Sequence, residues 1–407
     1  MKILFFDYWL KGIANFNRLM PEIRRQCPDA EVKMVHVGSW KEPQESIVNE
    51  HDGFFSYDIS YYKTGSFYKV LKIERPDVVV MLNLYYLFDK AVIVFCRKLG
   101  IKTVYLAHGK FSTIADERFT QFLKQDLKKN FASKIRRDTI NLLCNYLNST
   151  LLEYSPMRFV RSMIAMVRDP ASMTLNSIFT EELDADIKLV YYESDRQALL
   201  VQRKFPDRNI FVVGNPELDA FINKPTLPRV EFLLQLGIPD GPYLLYLDDG
   251  FVQARLMEKR VWYDHLGEIA RIAHAAGMQF VIKLHPRTPL ADHHAFFSQE
   301  NIIPIDQKID FKSLISHSET VVSIVSTTIS FALLLGKRVI SPRWGATAEF
   351  KRSYPEQVVH YSQDAENFAV WLVNNQPCNT SVDYVADNLG VLDGQAVSRI
   401  VTQIINA

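Results

Sequence analysis

The chain has 407 residues, 48% of them hydrophobic and 23% charged, with 47 lysines and arginines against 46 aspartates and glutamates. That length exceeds one ordinary core and favours two α/β domains; the composition excludes long disordered tracts, and the near-neutral charge excludes a global field for nucleic acid or an acidic polymer. Four scattered cysteines, Cys27, Cys96, Cys144 and Cys378, show no C-x-x-C spacing and fit reduced thiols in the cytoplasm better than a disulfide framework or a zinc site.

The first segment reads MKILFFDYWLKG, where a short apolar run soon meets Asp7 and Lys11. It is too short and too polar for a signal sequence or a membrane span, so a first β-strand is expected. Nowhere does an apolar stretch of about 18 residues argue for an integral membrane protein. Short β-branched and aromatic runs then alternate with longer segments of helical period, the mark of parallel sheets wrapped by helices. Strands are expected at Ile3 to Phe6, Val32 to Val37, Val78 to Leu82 and Thr103 to Leu106, then at Leu189 to Tyr192 and Ile210 to Val213. One of the helices between them runs from about Leu87 to Leu99.

A helical stretch from about Asp116 to Thr180 interrupts this pattern as an insertion. It interleaves Lys124, Lys128, Lys129, Lys134, Arg136, Arg137, Arg158, Arg161 and Arg168 with Phe, Leu, Ile and Met. Such a segment suits an anionic bilayer surface or an anionic glycolipid, and equally an ordinary solvated helix face.

The stretch Asn223 to Pro228 holds Pro225 and Pro228 and reads as a linker between a domain of residues 1–224 and one of residues 225–407. A second sheet is expected from strands at Tyr243 to Leu247, Gln279 to Leu284, Ile302 to Ile305, Val321 to Val325 and Arg338 to Ser341. Helices at Trp262 to Ala276 and Ile329 to Leu335 separate them, and a closing helix from Val397 to Ile405 is expected to pack back on the linker.

Ligands of open α/β sheets bind beyond the carboxyl ends of strands, so polar residues just after each strand are the candidates. In LYLDDGF, Asp248 and Asp249 supply neighbouring carboxylates that resist ionising together, as wanted for a base or nucleophile; an Asp-Gly turn is the plain alternative. In VIKLHPRTP, Lys283 lies inside the strand, Pro286 fixes the exit of His285, and His285 with Arg287 suits a leaving phosphate. In VSIVSTTISF, Ser326, Thr327 and Thr328 open a helix and either bind a nucleotide phosphate or merely cap. In the first half, His108, Gly109 and Lys110 follow a strand, while Asn215 and Glu217 follow another near the domain junction. Asp292, His293 and His294 read as surface residues, so no metal site is expected. The chain lacks the P-loop, the dinucleotide fingerprint, G-x-S-x-G and H-E-x-x-H.

Together these segments resemble GT-B glycosyltransferases that use CMP-sugars. Bacterial sialyltransferases of that fold carry an acidic-acidic-Gly motif, a His-Pro motif and a Ser/Thr motif, matched here by Asp248-Asp249-Gly250, His285-Pro286 and Ser326-Thr327-Thr328. In them, however, the acidic motif belongs to the N-terminal lobe. The chain is more similar to the retaining β-Kdo transferases of capsule and O-antigen assembly, over about Tyr243 to Thr347, including Gly336, Lys337, Val339 and Trp344-Gly345-Ala346-Thr347.

The resemblance implies two Rossmann-like domains facing a cleft, the first on the acceptor side and the second binding the nucleotide-sugar. It implies Kdo transfer from CMP-Kdo to a surface polysaccharide or glycolipid, with Asp248 or Asp249 as nucleophile, His285 and the hydroxyls on the phosphate, and no metal or cofactor. His108, Gly109, Lys110, Asn215 and Glu217 would line the donor and acceptor cleft. The enzyme would be cytoplasmic, with peripheral contact at the inner face of the cytoplasmic membrane. Alternatives are an inverting CMP-sialic acid transferase, a CDP-glycerol-type polyol-phosphate transferase, and a glycan-binding scaffold without activity. A UDP-sugar 2-epimerase is disfavoured because its set of carboxylates is not evident.

Overall fold

The structure, a computed structural model, describes every residue except 43–44, 85, 110–136, 154–156, 158–159, 161–162, 165–183, 204–206, 255, 307, 351, 353 and 375–381. Two compact units emerge: Met1–Pro216 with Asp393–Ala407, and Glu217–Leu392.

The first unit carries β1 (Lys2–Asp7), β2 (Glu31–His36), β3 (Val48–His51), β4 (Phe54–Asp58), β5 (Val78–Met81), β6 (Lys102–Leu106), β7 (Ile187–Val190) and β8 (Ile210–Val212). Their order is β3-β4-β2-β1-β5-β6-β7-β8. Among the described residues only the β3–β4 pair is antiparallel. The apolar run Ile3–Phe6 is fully buried because helices cover both faces of a parallel sheet. Phe5 stacks on Phe16, and Phe6 meets Phe67 and Phe88 edge-on, from the helices Phe67–Glu74 and Leu87–Leu99. Strand succession runs outward from β1 through β2 and β4, then restarts at β5 on the other side, so the switch point lies between β1 and β5.

Within the expected insertion, the helix Arg137–Glu153 packs on Leu87–Leu99. Its buried Asn145 accepts from Phe67 N–H at 2.9 Å and donates to the Gly65 carbonyl at 2.8 Å. Lys124, Lys128, Lys129, Lys134, Arg136, Arg158, Arg161 and Arg168 lie outside the described residues.

The second unit is a six-stranded, wholly parallel sheet of β9 (Tyr243–Leu247), β10 (Gln279–Lys283), β11 (Ile302–Ile305), β12 (Thr320–Val322), β13 (Arg338–Pro342) and β14 (His360–Ser362). The order β11-β10-β9-β12-β13-β14 puts its switch point between β9 and β12. The helix Lys259–Ala275 seals one face with Trp262, Leu266, Ile269 and Ala273 against Phe280 and Ile282.

Two expectations are corrected. The division falls at Pro216/Glu217 rather than at residue 224, and residues 393–407 belong to the first unit rather than the second. The closing helix Ala396–Ile405 explains this: its apolar stripe, Ala396, Ile400, Val401 and Ile404, is buried, and the helix packs on Met20–Gln26. Gln26 accepts from Thr402 Oγ1 at 3.1 Å, and Arg399 Nε donates to the Val213 carbonyl at 2.8 Å. Among the described residues, no helix is long and apolar enough to cross a membrane.

Candidate active site

β9 ends at Leu247 and hands Asp248, Asp249 and Gly250 to the carboxyl edge of the second sheet, at its switch point. The two carboxylates turn to opposite neighbours. Asp248, 8% exposed, accepts from Gly250 N–H at 3.0 Å through Oδ1. Its Oδ2 accepts from His285 N–H at 3.1 Å and lies 2.7 Å from the Thr288 hydroxyl. Asp248 therefore clamps the loop after β10. Asp249, half-buried, reaches across to the loop after β12, accepting from Ile324 N–H at 3.0 Å and Val325 N–H at 3.1 Å. Burial is the largest influence on its carboxyl and raises it from 3.8 to about 6, against the two N–H groups that lower it.

These donors exist because β12 stops at Val322, short of the expected Val325, and leaves the N–H groups of Ile324 and Val325 to Asp249. The Ile324 peptide is gripped at both ends. Its N–H goes to Asp249, while its carbonyl accepts from Ser341 Oγ at 3.0 Å and Arg343 Nη2 at 2.8 Å. Ser341 and Arg343 end and follow β13, so four of the six strands contribute to one edge. Burial lowers the Arg343 guanidinium from its usual range, with Tyr361 and Asp249 opposing that shift.

Gly250 has φ +70°, and a β-carbon there would lie 2.9 Å from His285 Cγ. Glycine is thus required twice, by the left-handed backbone and by the imidazole against it. His285 Nδ1 accepts from Arg287 N–H at 3.1 Å, which leaves the proton of the neutral ring on Nε2. Burial first, then Arg287, lower its pKa, with Asp248 opposing them. Lys283 is half-buried, its Nζ 3.3 Å from the Leu284 and Ile305 carbonyls, and burial lowers its pKa. Pro286 and Arg287 are exposed. Ser326 and Thr328 bond each other's hydroxyls at 2.7 Å ahead of the six-residue helix Ile329–Leu334, and Thr327 is exposed.

The edge of the second unit thus gathers Asp248, Asp249, Lys283, His285, Pro286, Arg287, Ser326, Thr327 and Thr328. Thr288, Ser341 and Arg343 were not anticipated. Their one signal in the sequence is position, since each closes or follows a strand. In the first unit His108 is exposed, and its Nδ1–H donates to the Leu82 carbonyl at 3.0 Å; Gly109 follows it, and Lys110 lies outside the described residues. Asn215 is buried and donates to the Tyr192 hydroxyl at 2.6 Å, while Glu217 is exposed on the first turn of Pro216–Asn223. His293, expected at the surface, is 3% exposed and bonded to the Tyr263 hydroxyl at 2.8 Å, because the ring packs on Trp262. Among the described residues no cluster of His, Cys, Asp and Glu is arranged to hold a metal.

Solved structures place this architecture. A UDP-GlcNAc 2-epimerase from Methanocaldococcus jannaschii superposes with a TM-score of 0.56 at 17% identity, covering 99% of this chain and all of that one. The chain has the GT-B fold. A UDP-GlcNAc 2-epimerase from Neisseria meningitidis, bound to UDP-GlcNAc, is similar over the whole of both chains, with a TM-score of 0.54 at 15% identity. A variant of the wall teichoic acid polymerase TagF aligns over all of this chain and 88% of its own, with a TM-score of 0.51 at 11% identity. Identities this low convey the GT-B fold and leave the chemistry to the site. No protein-family model matches the sequence, and no curated protein matches it significantly.

Proposed function

We propose that this GT-B protein is a glycosyltransferase that takes a sugar from a nucleotide donor, CMP-Kdo, and passes it with retention to a polysaccharide or glycolipid acceptor. The observation that carries this reading is the joining of the β9, β10 and β12 loops at one switch point by two adjacent carboxylates. Nucleotides bind at such points in doubly wound sheets. The choice of Kdo rests on the resemblance of Tyr243 to Thr347 to the β-Kdo transferases.

In this reading Asp248 positions and Asp249 reacts. Asp249 is the more exposed of the two, and its carboxyl, raised by burial to about 6, is more basic and more nucleophilic than an ordinary aspartate. It attacks the anomeric carbon, and CMP departs with the electron pair of the broken C–O bond. His285 Nε2–H, Arg287 and the hydroxyls of Ser326, Thr327 and Thr328 meet the phosphate. An acceptor hydroxyl then displaces the carboxylate. The positive potential comes from protein groups, so the reading calls for no metal or cofactor.

Mass spectrometry of the protein incubated with CMP-Kdo tests this. A covalent adduct of one Kdo is expected on a peptide containing Asp249, absent from Asp249→Asn and present in Asp248→Asn. No adduct and no CMP release with CMP-Kdo, alongside turnover of CDP-glycerol or UDP-GlcNAc, would replace the Kdo reading.

A further inference from the structure

A cavity of about 300 Å³ lies within the second unit at the other edge of its sheet, where the strands begin. Gln279, the first residue of β10, and Ile303 of β11 line it from the sheet, while His274 and Met278 reach it from the last turn of the helix Lys259–Ala275 and the residues just after it. β10 is five residues long, so this edge stands roughly 16 Å from the level of Asp248. Between helix and strand the chain turns through Gly277, whose φ is +72°, and no atom of a non-neighbouring residue comes within 4 Å of where its β-carbon would stand. Two lining side chains carry polar atoms that are buried and have no hydrogen-bond partner among the described residues, His274 Nε2 and Gln279 Oε1. The Gln279 carboxamide cannot turn over to relieve this, because its Nε2 donates to the Pro239 carbonyl at 2.9 Å and the reversed group would set two oxygens against each other. Buried polar atoms are otherwise paired in folded proteins, so both call for a partner from outside the chain.

The lining decides the chemistry of that partner. It includes no lysine, arginine, aspartate or glutamate, and the helix Lys259–Ala275 ends here with the negative pole of its dipole, so a phosphate or carboxylate meets no favourable charge. Gln279 Oε1 only accepts, which requires a hydrogen-bond donor on the ligand. Pro239, Met278 and Ile303 supply apolar surface for the faces of a ring. The space stands at the small end of ligand cavities, which run from about 300 to 1,000 Å³. We propose that this cavity is a second binding site, apart from the carboxylates of β9, for an uncharged nitrogen heterocycle of the nucleobase or nucleoside class. Its N–H edge meets Gln279 Oε1 and His274 Nε2, and its ring lies against Met278 and Ile303. The site does not depend on the transferase reading, because none of its residues takes part in that chemistry.

Saturation-transfer NMR on the full-length protein with cytidine, uridine, adenosine and their free bases tests the site without turnover. At least one of the six is expected to receive saturation at its ring protons and to keep it when CMP is added in excess. Gln279→Leu and His274→Ala should each weaken that compound about tenfold, the loss of one hydrogen bond, while unfolding as cooperatively as wild type. Hydrogen exchange should show the compound protecting residues 273–280 and 301–303. Absence of contact with all six, displacement by CMP, unchanged binding in both variants, or protection confined to residues 285–288 and 324–328 would overturn the proposal. Binding with the expected properties in a protein that neither holds CMP nor turns over a nucleotide-sugar would uphold this site and sink the transferase reading instead.

Discussion

Asp248 and Asp249 are neighbours in sequence with different burdens, and the difference comes from what each accepts. Asp248 is saturated by donors from its own loop and the loop after β10, whereas Asp249 spans the switch point. Because folding raises the Asp249 pKa to about 6, its protonated form favours the fold: that contribution is complete below about 3.8 and is lost as pH climbs through 6. The melting temperature of wild type relative to Asp249→Asn should therefore be higher at pH 4 than at pH 7; a gap independent of pH would contradict the assignment. Gly250→Ala meets both a φ of +70° and the His285 ring, so it should cost about 1–3 kcal/mol in denaturant titrations. Nucleotide affinity should fall with it. The aspartates and His285 were legible because each directly follows an apolar run that can only be a strand. Thr288, Ser341 and Arg343 were not, since each acts through a partner many residues away, 40 in the case of Thr288 and Asp248.

At the scale of elements, hydrophobic pattern located most strands, the edge strands β8 and β11 among them, and missed β3, β4 and β14. β9 and β11 fall as expected, because Tyr243–Leu247 and Ile302–Ile305 are bounded apolar runs. The hairpin of β3 and β4 was not expected: β3 reads VNEH, has no fully buried residue, and pairs through its backbone and a His51–Ser56 side-chain bond around a turn at Asp52 and Gly53. β14 is three residues at the opposite edge and was equally silent. The closing helix was recognised, but its destination was not, since an apolar stripe states that a partner exists without naming it. Ile400→Ala should destabilise the first unit by about 2–5 kcal/mol. Hydrogen exchange should then rise in Met20–Gln26 and leave the β9–β12 region untouched; the reverse pattern would return the helix to the second unit.

Over the whole molecule, two parallel sheets each reverse their strand order once, and each reversal collects a different chemistry. In the second unit the reversal holds carboxylates, an imidazole, an arginine and hydroxyls, the groups that the proposed reading assigns to a phosphate and an anomeric carbon. In the first it holds two buried carboxylates, Asp7 and Asp89, with the partly exposed rings of Trp9 and Tyr86. Two α/β domains were legible from the alternation of strands and helices, whereas the GT-B reading came with the resemblance of the segments between Tyr243 and Thr347. The residues gathered at the edge of the second sheet were legible with it; in the first unit His108 follows β6 as expected from its position, and Lys110 lies outside the described residues. Hydrogen–deuterium exchange of the full chain with and without CMP is the most direct measure of the central claim. Protection should appear together at Asp249–Phe251, His285–Thr288 and Ile324–Thr328. Protection confined to other segments, or none at saturating CMP, would contradict a nucleotide site at the β9–β12 switch point.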